Sequence, residues 1–215
     1  MTLTQRFFKR IVDLFLVFIG FVVTAPIVLV TAILIKLDSR GPVLFTQERV
    51  GRGGSPFTIY KFRTMVDGAQ NMGDGLVLVK GDSRITGIGH FLRRWCIDEI
   101  PQLINVLRGE MSCVGPRPTF QYQVDQYTDF QKRRLEVKPG MTGVATVKGR
   151  NKLTWPERIK WDVWYVEHYS FWLDVKVILQ TFGLLARADV VEADSADAFK
   201  IRDDNQNKQD DSKSE

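Results

Sequence analysis

Residues 14–35, LFLVFIGFVVTAPIVLVTAILI, form an unbroken apolar run near the start of the chain. As one helix these 22 residues would rise about 33 Å, enough to cross the hydrocarbon core of a bilayer. Pro26 lies near the middle, where it removes a backbone donor and kinks or breaks a helix. The residues leave two structures open: a transmembrane helix with a kink, or a hairpin whose halves, each about 17 Å long, enter and leave by the same face.

Positive charge flanks both ends of this run. Lys9 and Arg10 precede it, and Lys36 and Arg40 follow it. Because Lys and Arg are enriched on the cytoplasmic side, this symmetry gives no support to ends on opposite sides of the membrane. The length of the run and the lack of a small-residue cleavage site also argue against a cleaved signal peptide.

The charge of the chain is unevenly distributed. The formal net charge is +5, but residues 189–215 carry nine acidic and four basic side chains, which leaves residues 1–188 with a net charge of +10. A basic body favours anionic partners such as lipid headgroups, nucleic acid or phosphorylated substrates. We expect a membrane segment in residues 1–40, a folded domain in residues 41–188 and a disordered acidic tail in residues 189–215.

The cysteines and histidines give no sign of a metal site or a disulfide framework. Cys96 and Cys113 are the only cysteines, and His90 and His168 have no partners at ligand spacing. We interpret the cysteines as reduced structural thiols of a cytoplasmic protein and the histidines as structural.

Local patterns predict a mostly helical α+β fold with a small β-hairpin and amphipathic surface helices. Alternating polarity predicts a strand over 57–63, paired across the glycine-rich turn 51–56 with a segment over 41–47 that contains a turn and a short strand. Two segments are predicted to be irregular, the loop 67–84 and the turn 139–143. Helices are predicted over 88–108 with an interruption near Pro101, and over 119–136, 155–169 and 171–187.

Four of the five tryptophans fall within residues 155–172, together with several other aromatic residues. Trp and Tyr favour the headgroup layer of a membrane, which indicates an amphipathic helix lying on its surface. An ordinary aromatic core is the alternative, and the preceding apolar run favours the membrane surface.

Asp98 and Glu99 are the first candidates for chemistry. Side chains at i and i+1 do not share a helix face, but the two carboxylates can converge at a helix end. Their hard oxygens suit Mg²⁺, which commonly takes one or two carboxylates together with substrate phosphates. Without a metal, Asp98 could act as a nucleophile in phosphoryl chemistry. The dipeptide alone favours a simpler interpretation, a solvated acidic pair that offsets Arg93 and Arg94.

Two short segments supply candidate cations. Strand alternation puts Lys61 and Arg63 on one side of the predicted strand. Arg117 lies between Pro116 and Pro118, which restrict the backbone around a guanidinium that can bind phosphate bidentately. The alternative is a basic surface that faces lipid headgroups. The glycine-rich stretches match neither a dinucleotide-binding fingerprint nor a P-loop.

Taken together, these segments resemble the bacterial sugar transferase family, the small monotopic phosphoglycosyl transferases, from about Lys9 to Arg187. The matching segments are KRIVD at 9–13, GPVLFTQ at 41–47, KFRTM at 61–65, IDEIPQ at 97–102, NVLRGEMS at 105–112, VGPRP at 114–118, PGMTG at 139–143 and GRN at 149–151. Larger members of the family add transmembrane helices before this domain, so the chain resembles the catalytic domain alone.

The resemblance implies an activity. The family transfers a sugar-1-phosphate from a UDP-sugar to a polyprenyl phosphate such as undecaprenyl phosphate. The products are a polyprenyl diphosphate sugar and UMP, in a first membrane step of surface glycoconjugate synthesis. The resemblance leaves the sugar and the glycan pathway open.

The resemblance also implies roles for individual residues. Asp98 would be the nucleophile, forming a covalent aspartyl intermediate, and would contact Mg²⁺, with Glu99 as the second member of the pair. The residues implied to contact substrate are Lys61, Arg63, Arg93 (near the lipid phosphate), Arg117 (a phosphate contact) and Arg150 (near the nucleotide).

For the membrane segment, the resemblance implies a re-entrant helix-break-helix at the cytoplasmic face of the bacterial inner membrane. The family commonly has Ser-Pro at the break, where this chain has Ala25-Pro26. Thr24 is the nearest hydroxyl that could satisfy a freed backbone group. The implied partners are the UDP-sugar, polyprenyl phosphate, inner-membrane lipids and downstream glycosyltransferases, with no nucleic acid. A homodimer stays open.

Overall fold

The computed structural model describes residues 1–72, 81–149 and 153–186, and over them the fold is mostly helical α+β, as predicted. The predicted acidic tail, residues 189–215, lies outside the described residues. The strands are β1 Leu44–Val50, β2 Pro56–Phe62, β3 Ser112–Val114 and β4 Gly140–Thr142. The α-helices are α1 Leu3–Asp38, α2 Gly87–Arg94, α3 Leu103–Arg108, α4 Gln121–Val124, α5 Asp129–Lys132, α6 Val144–Lys148, α7 Trp155–Glu167 and α8 Phe171–Ala186.

Helix α1 begins with a capping box. The Thr2 hydroxyl accepts a hydrogen bond from the Gln5 N–H at 3.2 Å, and the Gln5 side chain accepts one from the Thr2 N–H at 2.8 Å. The helix ends where Ser39 adopts an extended conformation. Of the described helices, α1 is the one that is long and apolar enough to cross a membrane.

The predicted division of this segment into two helices at Pro26 is wrong, because helical structure is continuous from Leu3 to Asp38. Proline removes a single backbone donor, and the turns on either side keep their own hydrogen bonds. The Thr24 hydroxyl donates to the carbonyl oxygen of Gly20 at 2.7 Å, a side-chain bond of the kind that often bends a helix. Thr24 therefore does not satisfy the carbonyl of Val22, which Pro26 leaves without a donor.

Helix α1 runs antiparallel to residues 87–108. Near its beginning, the Arg10 guanidinium donates to the carbonyl oxygens of Val106 and Leu107. At its end, the Asp38 carboxylate accepts from the Ile88 N–H at 3.2 Å. One face is buried or half-buried along the whole helix, at Asp13, Val17, Gly20, Thr24, Val28, Thr31 and Ile35. Both ends of α1 therefore contact the same body.

The predicted β-hairpin is confirmed, with the first strand a few residues later than expected. β1 and β2 pair antiparallel, from Leu44 opposite Phe62 to Val50 opposite Pro56. The turn contains Gly53, whose φ of 70° lies in the left-handed region that favours glycine. Phe57 and Ile59 of β2 point into a core cluster shared with Leu103.

A second, parallel pair of strands was not predicted. β3 pairs with β4, with Ser112 opposite Gly140, where the sequence suggested only a turn. A Cβ atom on Gly140 would collide with the backbone nitrogen of Gly115, so the strands meet where neither residue has a side chain. A three-residue strand is too short to show alternating polarity, which explains the error.

The predicted helix over 119–136 is also wrong in extent. The segment contains α4, α5 and a 3₁₀ helix over Arg133–Glu136. Thr128 starts a new helix, since its hydroxyl accepts from the Gln131 N–H at 3.3 Å while the Gln131 side chain accepts from the Thr128 N–H at 3.0 Å. A capping box inside an apolar periodicity divides one helix into shorter ones.

The helices predicted over 155–169 and 171–187 are confirmed as α7 and α8. Some of their aromatic residues belong to the core and others, such as Phe171 and Phe182, are exposed. Trp155 and Tyr165 are 9% and 1% exposed, whereas Trp172 on α8 is 75% exposed. Lys9 of α1 forms an ion pair with Asp174 of α8 at 2.6 Å, which ties these helices together.

Candidate active site

Asp98 and Glu99 lie in the first turn of a 3₁₀ helix, Ile97–Gln102. Cys96 precedes it with a φ of 53°, and this left-handed residue separates the turn from α2. In a 3₁₀ helix positions i and i+3 share a face, and Ile97 and Ile100 both pack against the apolar cluster around Phe62 and Leu92. Asp98 and Glu99 therefore lie at a helix end, on faces other than the one that Ile97 and Ile100 pack into the core.

Glu99 binds both of the nearest cations. Its Oε1 atom accepts from Lys61 Nζ at 2.8 Å and from an Arg117 guanidinium nitrogen at 2.9 Å. Burial alone would raise the pKa of Glu99, but the charges of Arg117 and Lys61 outweigh it and hold that pKa far below its usual range. Glu99 is therefore an anion that holds two cations, Lys61 and Arg117, side by side.

Asp98 is the open carboxylate of the pair. Its residue is 9% exposed, and within residues 1–72, 81–149 and 153–186 no hydrogen bond or ion pair to its side chain is present. Burial raises the pKa of Asp98, an effect opposed by the charge of Lys61 and reinforced by that of Glu99. A carboxylate held near cations without being bonded to them is available to attack an electrophile.

Arg93 lies on the same side of the molecule as Asp98. Its Nε donates to the Thr64 hydroxyl at 2.8 Å. Burial lowers the pKa of Arg93, and the charge of Asp98 opposes that effect. Arg93 is thus within electrostatic range of the pair but is oriented by Thr64.

The structure does not bring Arg63 into contact with the pair. Arg63 lies just beyond β2, is 5% exposed, and donates to the Ser39 carbonyl oxygen at 2.7 Å and hydroxyl at 3.0 Å. It holds the C-terminal end of α1, because the carbonyls of a last helical turn lack backbone donors. Strand alternation predicted that Lys61 and Arg63 lie on one side, but it could not show that Arg63 bonds to Ser39 instead of to the pair. Arg150, the other predicted substrate contact, lies outside the described residues.

Arg117 is positioned by a buried network that the sequence analysis missed. The Arg134 guanidinium donates to the Arg117 carbonyl oxygen at 2.8 Å, to Asp162 at 2.6 Å and to the Tyr127 hydroxyl at 2.7 Å. Side chains of Arg134 and Asp162 are only 1% and 2% exposed. One signal was available: Asp162 is a single carboxylate between tryptophans on the buried face of α7.

Asn105 is a second residue that the sequence analysis did not single out. Its Oδ1 accepts from the Tyr60 N–H at 3.1 Å, and its Nδ2 donates to the Thr58 carbonyl oxygen at 2.7 Å. These bonds fix β2 against α3 next to Lys61. The fully buried Asn105 therefore helps to set the position of a site cation.

The residues present fit a Mg²⁺ ion that would be bound together with a phosphorylated substrate. In the part of the chain that the structure describes, no group of three or more His, Cys, Asp or Glu side chains could hold a metal ion on its own. The Asp98 carboxylate has no competing hydrogen bond, and one carboxylate plus substrate phosphates is a common Mg²⁺ ligand set.

Comparison with known proteins identifies the family. The family model described as bacterial sugar transferase matches residues 4–188, so the chain belongs to the bacterial sugar transferase family. An uncharacterised sugar transferase, EpsL, of Bacillus subtilis (strain 168) is 44% identical over 173 residues, which cover 80% of this chain and 84% of EpsL.

Two relatives with more specific names are also similar. The UDP-glucose:undecaprenyl-phosphate glucose-1-phosphate transferase of Caulobacter vibrioides is 41% identical over 192 residues, covering 84% of this chain and 70% of that protein. The undecaprenyl-phosphate galactose phosphotransferase of Salmonella typhimurium is 35% identical over 200 residues, covering 86% of this chain but 42% of that protein. Some relatives are therefore much longer than the matched region.

Proposed function

We propose that this protein transfers a sugar-1-phosphate from a UDP-sugar to a polyprenyl phosphate such as undecaprenyl phosphate. The products would be a polyprenyl diphosphate sugar and UMP, in a first membrane step of surface glycoconjugate synthesis. The observation that carries the proposal is the buried, unbonded carboxylate of Asp98 beside two cations held by Glu99. The names of the Caulobacter and Salmonella relatives support the same substrates.

In the first step, a carboxylate oxygen of Asp98 attacks the sugar-bearing phosphorus of the UDP-sugar. A bond forms between that oxygen and phosphorus, and the bond between phosphorus and the oxygen bridging to UMP breaks. The electron pair of the broken bond leaves with UMP. The buried position of Asp98 favours this attack because its carboxylate is stripped of most of its water and bonded to no protein donor.

In the second step, a phosphate oxygen of the polyprenyl phosphate attacks the same phosphorus. The bond from phosphorus to Asp98 breaks, which returns the free carboxylate and releases the polyprenyl diphosphate sugar. With Asp98 and the lipid phosphate in their ionised forms, neither step moves a proton, so the scheme contains no general base.

The surrounding cations stabilise charge on the phosphates. Phosphoryl transfer depends mainly on positioning and charge neutralisation, and Lys61 and Arg117 are held ready for both by Glu99. Mg²⁺, when bound, would neutralise further charge on the diphosphate, with Asp98 as its protein ligand. Arg93, oriented by Thr64, is the cation that we assign to the incoming lipid phosphate.

We also propose that the protein is monotopic at the cytoplasmic face of the inner membrane, with both ends of α1 on one side. Arg10 contacts Val106 and Leu107 and Asp38 contacts Ile88, so both ends of α1 are bonded to the same body. A helix that crossed the bilayer would carry one of these ends away from the body. The exposed side chains of Phe18, Val22 and Leu29, at 68%, 63% and 65%, provide the apolar surface that would enter the lipid.

One assay tests the proposed activity. The purified protein in detergent or nanodiscs is incubated with a panel of UDP-sugars, with and without undecaprenyl phosphate, and UMP release is measured. Release that requires the lipid phosphate supports a transferase. Release at the same rate without lipid would identify a hydrolase that uses water as acceptor, and no release with any donor would point to a scaffold for downstream glycosyltransferases.

A further inference from the structure

A second group of cations adjoins Arg117. Arg49 lies near the end of β1, where the next residue, Val50, donates its N–H to the carbonyl oxygen of Thr119 at 2.9 Å. This bridge brings Arg49 beside the loop that carries Arg117. The Arg49 guanidinium lies over the Phe120 ring, 3.4 Å from its centroid, and donates to the Gln47 side chain at 2.6 Å. Stacking and hydrogen bonding therefore hold this half-buried guanidinium in place.

The charge of Arg49 has no carboxylate partner among the described residues. Its Nε atom is buried without a hydrogen-bond partner. Burial, followed by the charge of Arg117, lowers the pKa of Arg49 to about 9. A buried donor and a buried charge that faces another cation are both unfavourable unless an anion binds there.

Arg158 of α7 shares the Trp155 ring with Arg134, which donates to the Arg117 carbonyl oxygen at 2.8 Å. The Arg158 guanidinium lies 5.4 Å from the centroid of the Trp155 ring. Burial, followed by the charge of Arg117, lowers the pKa of Arg158 to about 10. Arg49 and Arg158 thus come from separate elements, are each backed by an aromatic ring, and both repel Arg117.

We propose that Arg49 and Arg158, together with Arg117, form a second phosphate-binding subsite, for the phosphate group that does not become attached to Asp98. The inference rests on the proposed function, in which each step brings two phosphate groups to one small site. The ligand is a phosphate monoester or anhydride oxygen set, and two substrates can supply it: the nucleotide half of the donor or the polyprenyl phosphate.

The geometry favours phosphate over a carboxylate side chain of the protein. Guanidinium groups bind phosphate through paired N–H donors, and a tetrahedral anion can accept from several guanidinium groups at once. Arg117 is 44% exposed although Glu99 already binds it, so donors of Arg117 are open to a ligand between it and its neighbours. A single phosphate would satisfy the buried Nε of Arg49 and relieve the repulsion within the cluster.

The test uses Arg49→Gln and Arg158→Gln in the full chain, with Arg52→Gln as the matched control. Arg52 is an exposed arginine of the same hairpin and belongs to no part of the site. Titration calorimetry measures binding of UMP and of uridine, and initial rates give KM for the UDP-sugar and for undecaprenyl phosphate. Each substitution removes a charge-assisted hydrogen bond to phosphate. We therefore expect either the Kd of UMP or the KM for undecaprenyl phosphate to rise about tenfold or more in Arg49→Gln and Arg158→Gln.

The two arms identify the source of the phosphate. If the subsite holds the nucleotide, UMP binding weakens about tenfold while uridine binding stays unchanged. If it holds the lipid phosphate, KM for undecaprenyl phosphate rises while UMP binding stays at the wild-type value. If Arg49→Gln and Arg158→Gln have the same UMP affinity and the same KM for undecaprenyl phosphate as Arg52→Gln, the proposed subsite is wrong.

Two further measurements keep the test decisive. If Arg49→Gln does not fold, Arg49→Lys keeps the charge but loses the paired donors, and a constant within twofold of wild type would then contradict the proposal. Failure of the proposed function is seen separately, as a wild-type protein without lipid-dependent UMP release. In that event, tighter binding of UMP than uridine, or of undecaprenyl phosphate than undecaprenol, lost in Arg49→Gln, still supports the phosphate subsite. No preference for the phosphorylated compound in either pair overturns it.

Discussion

Asp98 and Glu99 are neighbours in sequence but differ in their bonding. Glu99 accepts from Lys61 at 2.8 Å and from Arg117 at 2.9 Å, whereas the Asp98 carboxylate has no bonded partner among the described residues. The pKa of Glu99 is lowered and that of Asp98 is raised. This difference is the basis of the proposed mechanism, in which Glu99 organises the cations and Asp98 reacts with phosphorus.

Asp98→Asn should abolish transfer while the protein becomes more stable. An amide is a poor nucleophile and a poor Mg²⁺ ligand, so kcat should fall by about 10³-fold or more. Burial raises the pKa of Asp98, which means that its ionised form is unfavourable in the folded state. A neutral Asn should therefore raise Tm near neutral pH in the presence of a chelator. Asp125→Asn, at an exposed carboxylate, serves as the control and should leave both quantities unchanged. A variant of Asp98 with a tenth of wild-type activity would remove it from the nucleophilic role.

Glu99→Gln should lower both activity and stability, in contrast to Asp98→Asn. The substitution leaves Lys61 and Arg117 without their shared anion, and we expect kcat to fall by about 10²-fold. The loss of stability should be about 1–2 kcal/mol, less than for a fully buried pair because Arg117 is 44% exposed. Steady-state kinetics and thermal unfolding check both expectations, and an increase in Tm would contradict the assigned pairing.

Asp162→Asn should act at a distance, through the position of Arg117. It leaves the Arg134 charge buried and uncompensated, at a cost of about 3–5 kcal/mol. The double variant Arg134→Met with Asp162→Leu should recover much of that stability, because no buried charge remains, yet should still raise KM for the UDP-sugar. A double variant with both stability and KM at wild-type values would show that the network does not position Arg117.

The topology of α1 can be tested by cysteine labelling in intact cells. In the proposed topology both ends of α1 face the cytoplasm, so a Thr4→Cys variant with Cys96 replaced by Ser should resist an impermeant external reagent. Burial raises the pKa of Cys113 to about 12, so this thiol should stay unreactive and give no background. If Thr4→Cys reacts with the external reagent while Pro26 is unchanged, α1 spans the membrane and the proposed topology is wrong.

Pro26→Ala tests the role of the proline. Restoring a backbone donor in the middle of the apolar helix should shift some molecules to a spanning state, in which Thr4→Cys becomes accessible from outside. An unchanged labelling pattern would show that packing of α1 against residues 87–108, rather than Pro26, fixes the topology.

The parts of the fold that follow from local patterns were predictable from the sequence. The β1–β2 hairpin follows from alternating polarity and a glycine-rich turn, and α7 and α8 follow from their periodicity. The pairing of β3 with β4 depends on contacts between residues far apart in sequence, such as Gly115 and Gly140, which no local pattern shows. The single helix predicted over 119–136 is divided because Thr128 caps a new helix, although the apolar periodicity continues through it.

The sequence pointed to several residues of the candidate site but not to how they are arranged. The sequence singled out Asp98, Glu99, Lys61 and Arg117, and the last three form one bonded group. It could not show that Arg63 turns away to Ser39, because strand alternation gives a side but not a partner. Arg134 was missed because an arginine buried by a network from three elements looks the same in sequence as one on the surface.

The most direct test of the account is to trap the reaction after its first step. Wild-type protein is incubated with the UDP-sugar that supports turnover, without polyprenyl phosphate, and its intact mass is measured. The account predicts a mass increase equal to one sugar-phosphate, located on the peptide that contains Asp98, absent in Asp98→Asn and discharged by undecaprenyl phosphate. Full turnover with intersecting initial-rate lines, and no such adduct under any donor concentration, would contradict it and indicate direct attack by the lipid phosphate.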